Sequence, residues 1–248
     1  MRRALVAMMC FLIFANIASA AVLEVGVKEN LETELISLTF DNSSNEVKFS
    51  TEFYNTGSVP YKARIKNEVF NGEELVFSGW SQEEDMMPGD KKTFSMYWYA
   101  GSAGDYSSKI KVYFGDEIKE YKKVDVLVMN YVEPEDVFEV SNFRTYDDYA
   151  LFDVTSRVDA ENVVVVPNDY IPGWIFEQAE IGNISQNSSK LAVIKYKPSL
   201  WVPSNISLEI MSDNGKYYSE KTAEMKKEEG LAGLFYYVVD SLRISFSK

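Results

Sequence analysis

Short runs in which apolar and polar residues alternate constrain this chain more than any other feature. Leu35-Ile36-Ser37-Leu38-Thr39-Phe40 and Val47-Lys48-Phe49-Ser50-Thr51-Glu52-Phe53-Tyr54 are the clearest, separated by Asp41-Asn42-Ser43-Ser44-Asn45. Successive side chains of an extended strand point to opposite faces, so such runs suit sheets with one face buried. The separator is rich in residues that favour turns. Further runs span Tyr61 to Phe70, Glu74 to Trp80, Lys92 to Tyr99, Tyr106 to Phe114 and Ile118 to Val128, punctuated by Asn71-Gly72, Pro88-Gly89-Asp90 and Gly115-Asp116. Aromatic residues make up 14% of the chain, with 16 tyrosines, as strand-forming sequences do. Seven or eight short strands at this spacing predict an immunoglobulin-like sandwich over residues 21–130.

The pattern breaks at Glu133-Pro134-Glu135-Asp136, a charged, proline-bearing joint, so residues 131–136 are expected to be a linker. Runs then resume at Val137 to Thr145, Tyr149 to Val158, Glu161 to Val166, Trp174 to Ile181, Lys190 to Tyr196, Asn205 to Met211 and Tyr217 to Met225. Asp213-Asn214-Gly215 reads as a tight hairpin. The fold class expected is therefore all-β: two immunoglobulin-like antiparallel β-sandwiches in tandem, the second over residues 137–228. Leu231, Leu234, Phe235, Val238 and Leu242 then fall at helical spacing, which predicts a short amphipathic helix within residues 230–248. It could pack on the second sandwich, or it could dock on a membrane surface or a partner.

At the N-terminus, Arg2 and Arg3 precede an apolar run from Ala4 to Ala15 and the triplet Ala18-Ser19-Ala20. This is the pattern of a secretory signal peptide over residues 1–20; an uncleaved membrane anchor is the alternative. Cleavage would remove Cys10, the only cysteine, and the chain has no histidine at all. Serine–histidine and cysteine–histidine nucleophiles, histidine-ligated metals, disulfides and an imidazole base are then excluded. The formal charge of −13 argues against nucleic acid and against anionic lipid.

One resemblance concerns residues 50–125. Phe53-Tyr54-Asn55-Thr56-Gly57, Pro60, Pro88-Gly89-Asp90-Lys91-Lys92-Thr93-Phe94 and Ala103-Gly104-Asp105-Tyr106 occur in the order seen in the adhesion-related domain called CARDB. That family consists of immunoglobulin-like modules of exported bacterial and archaeal proteins. The motifs are turn chemistry: Gly57 is expected to allow a positive φ, and Tyr106 to anchor a strand start. The resemblance implies a surface module and no particular ligand.

Catalysis without histidine or cysteine would fall to carboxylates, as in a glycosidase, or to serine with lysine. Glu83-Glu84-Asp85, Asp116-Glu117, Glu133-Glu135-Asp136 and Asp147-Asp148 lie in expected turns, where solvation explains them. Ser108-Lys109-Ile110-Lys111 matches Ser-x-x-Lys without the companion motifs. The expectation is a protein without catalytic or cofactor-binding residues, with structural calcium left open and its ligands unnamed. Trp174 and Trp201 lie in proline-bounded segments and could stack a glycan or simply pack, whereas Trp98 reads as core. Met86 and Met87 form an apolar loop tip able to touch a partner. The sequons at Asn42, Asn183, Asn187 and Asn205 suit glycosylation of an exported chain. Together these readings predict an exported cell-surface or envelope protein of adhesive, structural or assembly function. Its expected partners are other surface proteins or glycans, with the membrane reached only through the N-terminal segment or the C-terminal helix.

Overall fold

A computed structural model describes residues 30–41, 44–121, 124–128, 131–168, 174–197, 205–225 and 230–246. The described chain is dominated by antiparallel strands, with one α-helix at its C-terminal end.

In the first half, β1 (Thr33–Asp41), β2 (Glu46–Asn55) and β6 (Lys91–Tyr99) form a three-stranded sheet ordered β1-β2-β6. Facing it is a sheet built on β3 (Tyr61–Asn71) and β7 (Gly104–Phe114). The strand β4 (Glu74–Trp80) and the short β5 (Glu84–Met86) flank β3, while β8 (Glu117–Glu120) and β9 (Val124–Val128) flank β7. The alternation read from β2 holds in space: Val47, Phe49, Thr51 and Phe53 are buried and the residues between them are not. They meet Ile65, Val69, Ile110 and Val112 of the opposite sheet. The run expected from Ile118 to Val128 divides, because β8 and β9 both pair with β7 but in registers that differ by one residue.

Gly57 does not take a positive φ. It is small for another reason: a Cβ there would lie 2.2 Å from the Asn30 carbonyl oxygen. Asn55 closes the same turn, its Oδ1 accepting from the Gly57 N–H at 2.9 Å and its Nδ2 donating to the carbonyls of Val59 and Met86, each at 3.1 Å.

In the second half, β10 (Phe138–Thr145), β11 (Tyr149–Ser156), β15 (Ser188–Lys197) and β13 (Ile175–Phe176) make one sheet in that order. The other contains β14 (Ala179–Ile184), β12 (Ala160–Pro167), β16 (Asn205–Ser212) and β17 (Tyr217–Glu224). The run expected from Trp174 to Ile181 breaks at Glu177-Gln178, where the chain crosses from one sheet to the other. Asp213-Asn214-Gly215 is a left-handed turn joining the β16–β17 hairpin.

The two halves share a wall. On β12, Val163 and Val165 enter the second core while Val164 and Val166 enter the first half's apolar cluster. On β16, Leu208 and Ile210 serve the second core and Met211 the first. The sheet containing β12 and β16 is thus buried on both faces over Val163–Pro167 and Leu208–Ser212. Residues 131–136, expected as a linker, are hydrogen-bonded to both halves: Val132 N donates to Asn45 Oδ1 at 3.0 Å and Glu135 N to the Lys216 carbonyl at 3.0 Å.

Where its side chains are described, the helix α1 (Gly230–Phe246) is anchored by an ionic cluster, beside which Tyr237 meets Tyr146 and Arg144 lies over the Tyr236 ring. Asp240 is fully buried and accepts from Arg144 Nη1 at 2.7 and 3.0 Å and from Tyr146 Oη at 2.6 Å; Arg243 Nη2 reaches Asp153 at 2.5 Å. Val238 and Leu242, both on the apolar stripe seen in the sequence, are 52% and 55% exposed. No helix among the described residues is long and apolar enough to cross a membrane.

Candidate functional site

The polar side chains that the fold gathers most densely lie along the seam between the halves. At the crossing between β13 and β14, Gln178 is buried and uses its amide as a strand would: Oε1 accepts from Tyr97 N and Nε2 donates to the Tyr97 carbonyl, both at 2.7 Å. Its backbone N–H donates to the Trp80 carbonyl at 3.3 Å. Two residues on, Glu180 accepts from Tyr97 Oη at 3.0 Å, and burial followed by the Glu180 charge pushes that phenol far up. Two residues along β6 on the same face, Tyr99 stacks on Tyr218 with ring centroids 3.9 Å apart.

Trp98 points into the first core against Tyr106, while Tyr97 and Tyr99, on the opposite face of β6, are buried under the second half. From Met96 to Tyr99, β6 therefore has neither face wet. Near Gln178, Glu83 pairs with Arg64 and with Lys197 Nζ at 2.9 Å. Burial opposes its ionisation, yet these cations hold its carboxyl below the ordinary range. Neighbouring Glu177 goes the other way, burial outweighing Lys195 and Arg64.

Two clefts open beside the Tyr97–Glu180 contact. One of about 330 Å³ is lined by Ser81, Gln82, Glu84, Thr93 and Gln178, and one of about 390 Å³ by Glu46, Lys48, Glu161 and Asp213. Both are walled by Tyr97 and Glu180 and both are mostly polar. Among the described residues no three acidic side chains converge in a way that could hold a metal ion.

The residues singled out from sequence are scattered. Trp174 is 6% exposed and packs on Phe176 and Tyr196 at centroid distances of 5.3 and 5.4 Å, so it offers no face to a glycan. Trp201 and Asn42 lie outside the described residues. Met86, paired with Tyr61 at the β3–β5 edge, is buried in the first core, which leaves Met87, 58% exposed, as the whole of the expected apolar tip. Asn183, Asn187 and Asn205 are all exposed.

Sequence reading missed two features. On the outer face of the first half's larger sheet, Trp80 lies 4.8 Å from Tyr113, with Lys66 Nζ 5.7 Å from the Trp80 ring. Glu209, within the run expected from Asn205 to Met211 and not singled out there, is buried in the seam. The signal for Glu209 was available in Val163-Val164-Val165-Val166, because an unbroken apolar strand is one covered on both faces.

Comparison with known proteins yields no matching family model and no matching curated protein. Among solved structures, the chain is similar to red sea bream transglutaminase, at 9% identity and a TM-score of 0.29, over 79% of this chain and 31% of that one. It therefore spans about a third of that enzyme's length. It is similar also to the N-terminal periplasmic domain of ScsB from Proteus mirabilis, at 8% identity and a TM-score of 0.32, over 80% of this chain and 95% of that one. The YadV chaperone aligns at 11% identity and a TM-score of 0.24, over 76% of this chain and 99% of the other. Scores of this size define no common fold.

Proposed function

We propose that this protein is an exported, non-catalytic cell-surface or envelope protein in which two immunoglobulin-like sandwiches act together in adhesion, structure or assembly with other surface proteins. The observation that carries the reading is the seam. Bonds from Gln178 to Tyr97 and the Tyr99–Tyr218 stack fix the halves against one another, so their outer faces are presented at a constant angle. Presentation of shape requires such rigidity, because ordering a loose pair of domains on binding would weaken the association. The signal pattern at residues 1–20 and the exposed sequons at Asn183, Asn187 and Asn205 support export.

The test is recovery of the native protein from cell fractions with cross-linked partners and intact mass. The expected result is an envelope-associated chain cleaved after Ala20, with other surface proteins attached. A full-length chain confined to the cytosol overturns the reading.

Glycan binding is a second reading, and the half-buried aromatic pair Trp80 and Tyr113 favours it over the buried Trp174. Indole rings stack on sugar faces. Quenching of tryptophan fluorescence by members of a glycan panel, lost in Trp80→Ala, is expected if it holds; no quenching across the panel ends it.

A further inference from the structure

Glu209 is 5% exposed and sits on the face of β16 that meets the first half. Its neighbours there are Met211 along the strand and Val166 in register on β12, both members of the first half's apolar cluster. Oε1 accepts from Asn168 Nδ2 at 2.5 Å and from Tyr218 Oη at 3.2 Å, whereas Oε2 is buried without a hydrogen-bond partner. Tyr218 is the ring stacked on Tyr99 across the seam, and Asn45 Nδ2 in turn donates to Tyr99 Oη at 3.1 Å. A single carboxyl is therefore bonded to the aromatic pair that joins the two halves.

The groups facing it decide what its charge would do. The strand β17 contributes Tyr218 and, directly opposite in register, the acidic Glu220. From β6 comes the phenol of Tyr99, from β12 the apolar Val164 and Val166, and from the segment after β12 the neutral amide of Asn168. Among the described residues, the lysines of and beside β17 are engaged elsewhere, Lys221 with Asp136 and Lys216 with Tyr217. An ionised Glu209 would thus be an anion in apolar surroundings, with one oxygen bare and another carboxylate nearby. Burial, reinforced by Glu220 and opposed by the bonds from Tyr218 and Asn168, pushes its carboxyl up to about 7. Surface carboxylates titrate near pH 4, so this one changes charge in the neutral range instead.

We propose that Glu209 is a proton-operated clasp between the two halves, sealing the seam as the neutral acid and loosening it as the carboxylate. Hydration is what the anion lacks, and water reaches Oε2 only if the β16–β17 face parts from β6, which separates Tyr218 from Tyr99. The seam is tight on the acidic side of neutral and looser on the alkaline side. This goes beyond the surface function proposed above and does not depend on what the outer faces bind.

The experiment uses the full chain with its only cysteine removed as Cys10→Ser. Spin labels are attached at Glu73→Cys in the first half and Gln186→Cys in the second, both exposed positions. Distance distributions are recorded from about pH 5 to about pH 9, from the usual carboxylate range to beyond neutral. The expected result is a narrow distribution in acid that broadens with a midpoint near neutral, and one that stays narrow throughout in Glu209→Gln. Tyr218→Phe removes a bond that favours the anion, so its midpoint moves to higher pH. A wild-type distribution that does not change with pH overturns the proposal. So does a transition that survives unaltered in Glu209→Gln, or one whose midpoint Tyr218→Phe leaves in place.

Discussion

Gln178 shows how one side chain can do the work of a backbone. Its amide satisfies both polar groups of Tyr97 in a place that excludes water. Replacing it by alanine leaves a buried N–H and C=O without partners, and each such group costs about 1–3 kcal/mol. Gln178→Ala is therefore expected to lose roughly 2–4 kcal/mol in urea unfolding, well above an exposed Gln→Ala change such as Gln186→Ala. Glu209 makes a second prediction, in pH. Its carboxyl is raised in the folded chain, so the folded state binds the proton more tightly and stability falls as pH rises from the ordinary carboxylate value to about 7. Glu83 and Glu68, both lowered, lose their contribution only as pH falls into the acid range. Thermal melts of the wild type and Glu209→Gln should diverge between about pH 5 and about pH 7, the variant gaining relative to the wild type. Gly215 makes a third, since it has φ +78° and a Cβ there would lie 2.8 Å from the Glu46 amide nitrogen. Gly215→Ala should cost about 1–3 kcal/mol and disturb the contact of the hairpin tip with the first half.

Among the elements, those that were legible in the sequence follow one rule and those that were not follow two. The strand β2 obeys period-two alternation because one of its faces is wet, and it was read correctly from Val47 to Tyr54. By contrast, Asn205-Ile206-Ser207-Leu208-Glu209-Ile210-Met211 alternates in sequence yet is covered on both sides from Leu208 onward, so the polar position of Glu209 misleads. The run from Trp174 to Ile181 has no turn residues at its break, because the break is made by crossing between sheets at Glu177-Gln178 and is held by contacts to residues 80 and 97 far back in the chain. For α1 the periodicity was legible and its orientation was not. Arg144, Tyr146 and Asp153 are spread over β10, β11 and the turn between them, and only the folded sheet brings them to Asp240 and Arg243. Because that anchoring is ionic, Asp240→Ala is expected to release the helix while the sheets stay folded. Hydrogen exchange should then speed up across residues 236–246 and not in β11 or β15; uniform acceleration would mean that the helix is part of the core.

For the molecule as a whole, the doubly covered sheet makes the halves energetically inseparable. Val164, Val166 and Met211 leave water only when the first half is present, and Tyr97 and Tyr99 only when the second is. At about 25 cal/mol per Å² of apolar surface removed from water, five such side chains represent several kcal/mol of coupling. Calorimetry is expected to show one unfolding transition whose calorimetric and van't Hoff enthalpies agree, in place of the two steps that freely linked domains give. Two well-separated transitions would contradict the shared wall. The break at Glu133-Pro134-Glu135-Asp136 could be read in the sequence, but the intimacy of the halves could not, because nothing local in a strand says which distant surface will cover its second face.

The doubly covered sheet also bears on how such a chain can evolve. Modules that meet end to end can be duplicated, swapped or lost one at a time, since each closes its own surface. A chain cut at the joint would instead expose Tyr97 and Tyr99 on one fragment and Val164, Val166 and Met211 on the other, two sticky surfaces that invite aggregation. Inheritance should therefore treat the pair as one indivisible unit, with any lengthening or shortening confined to whatever lies outside it.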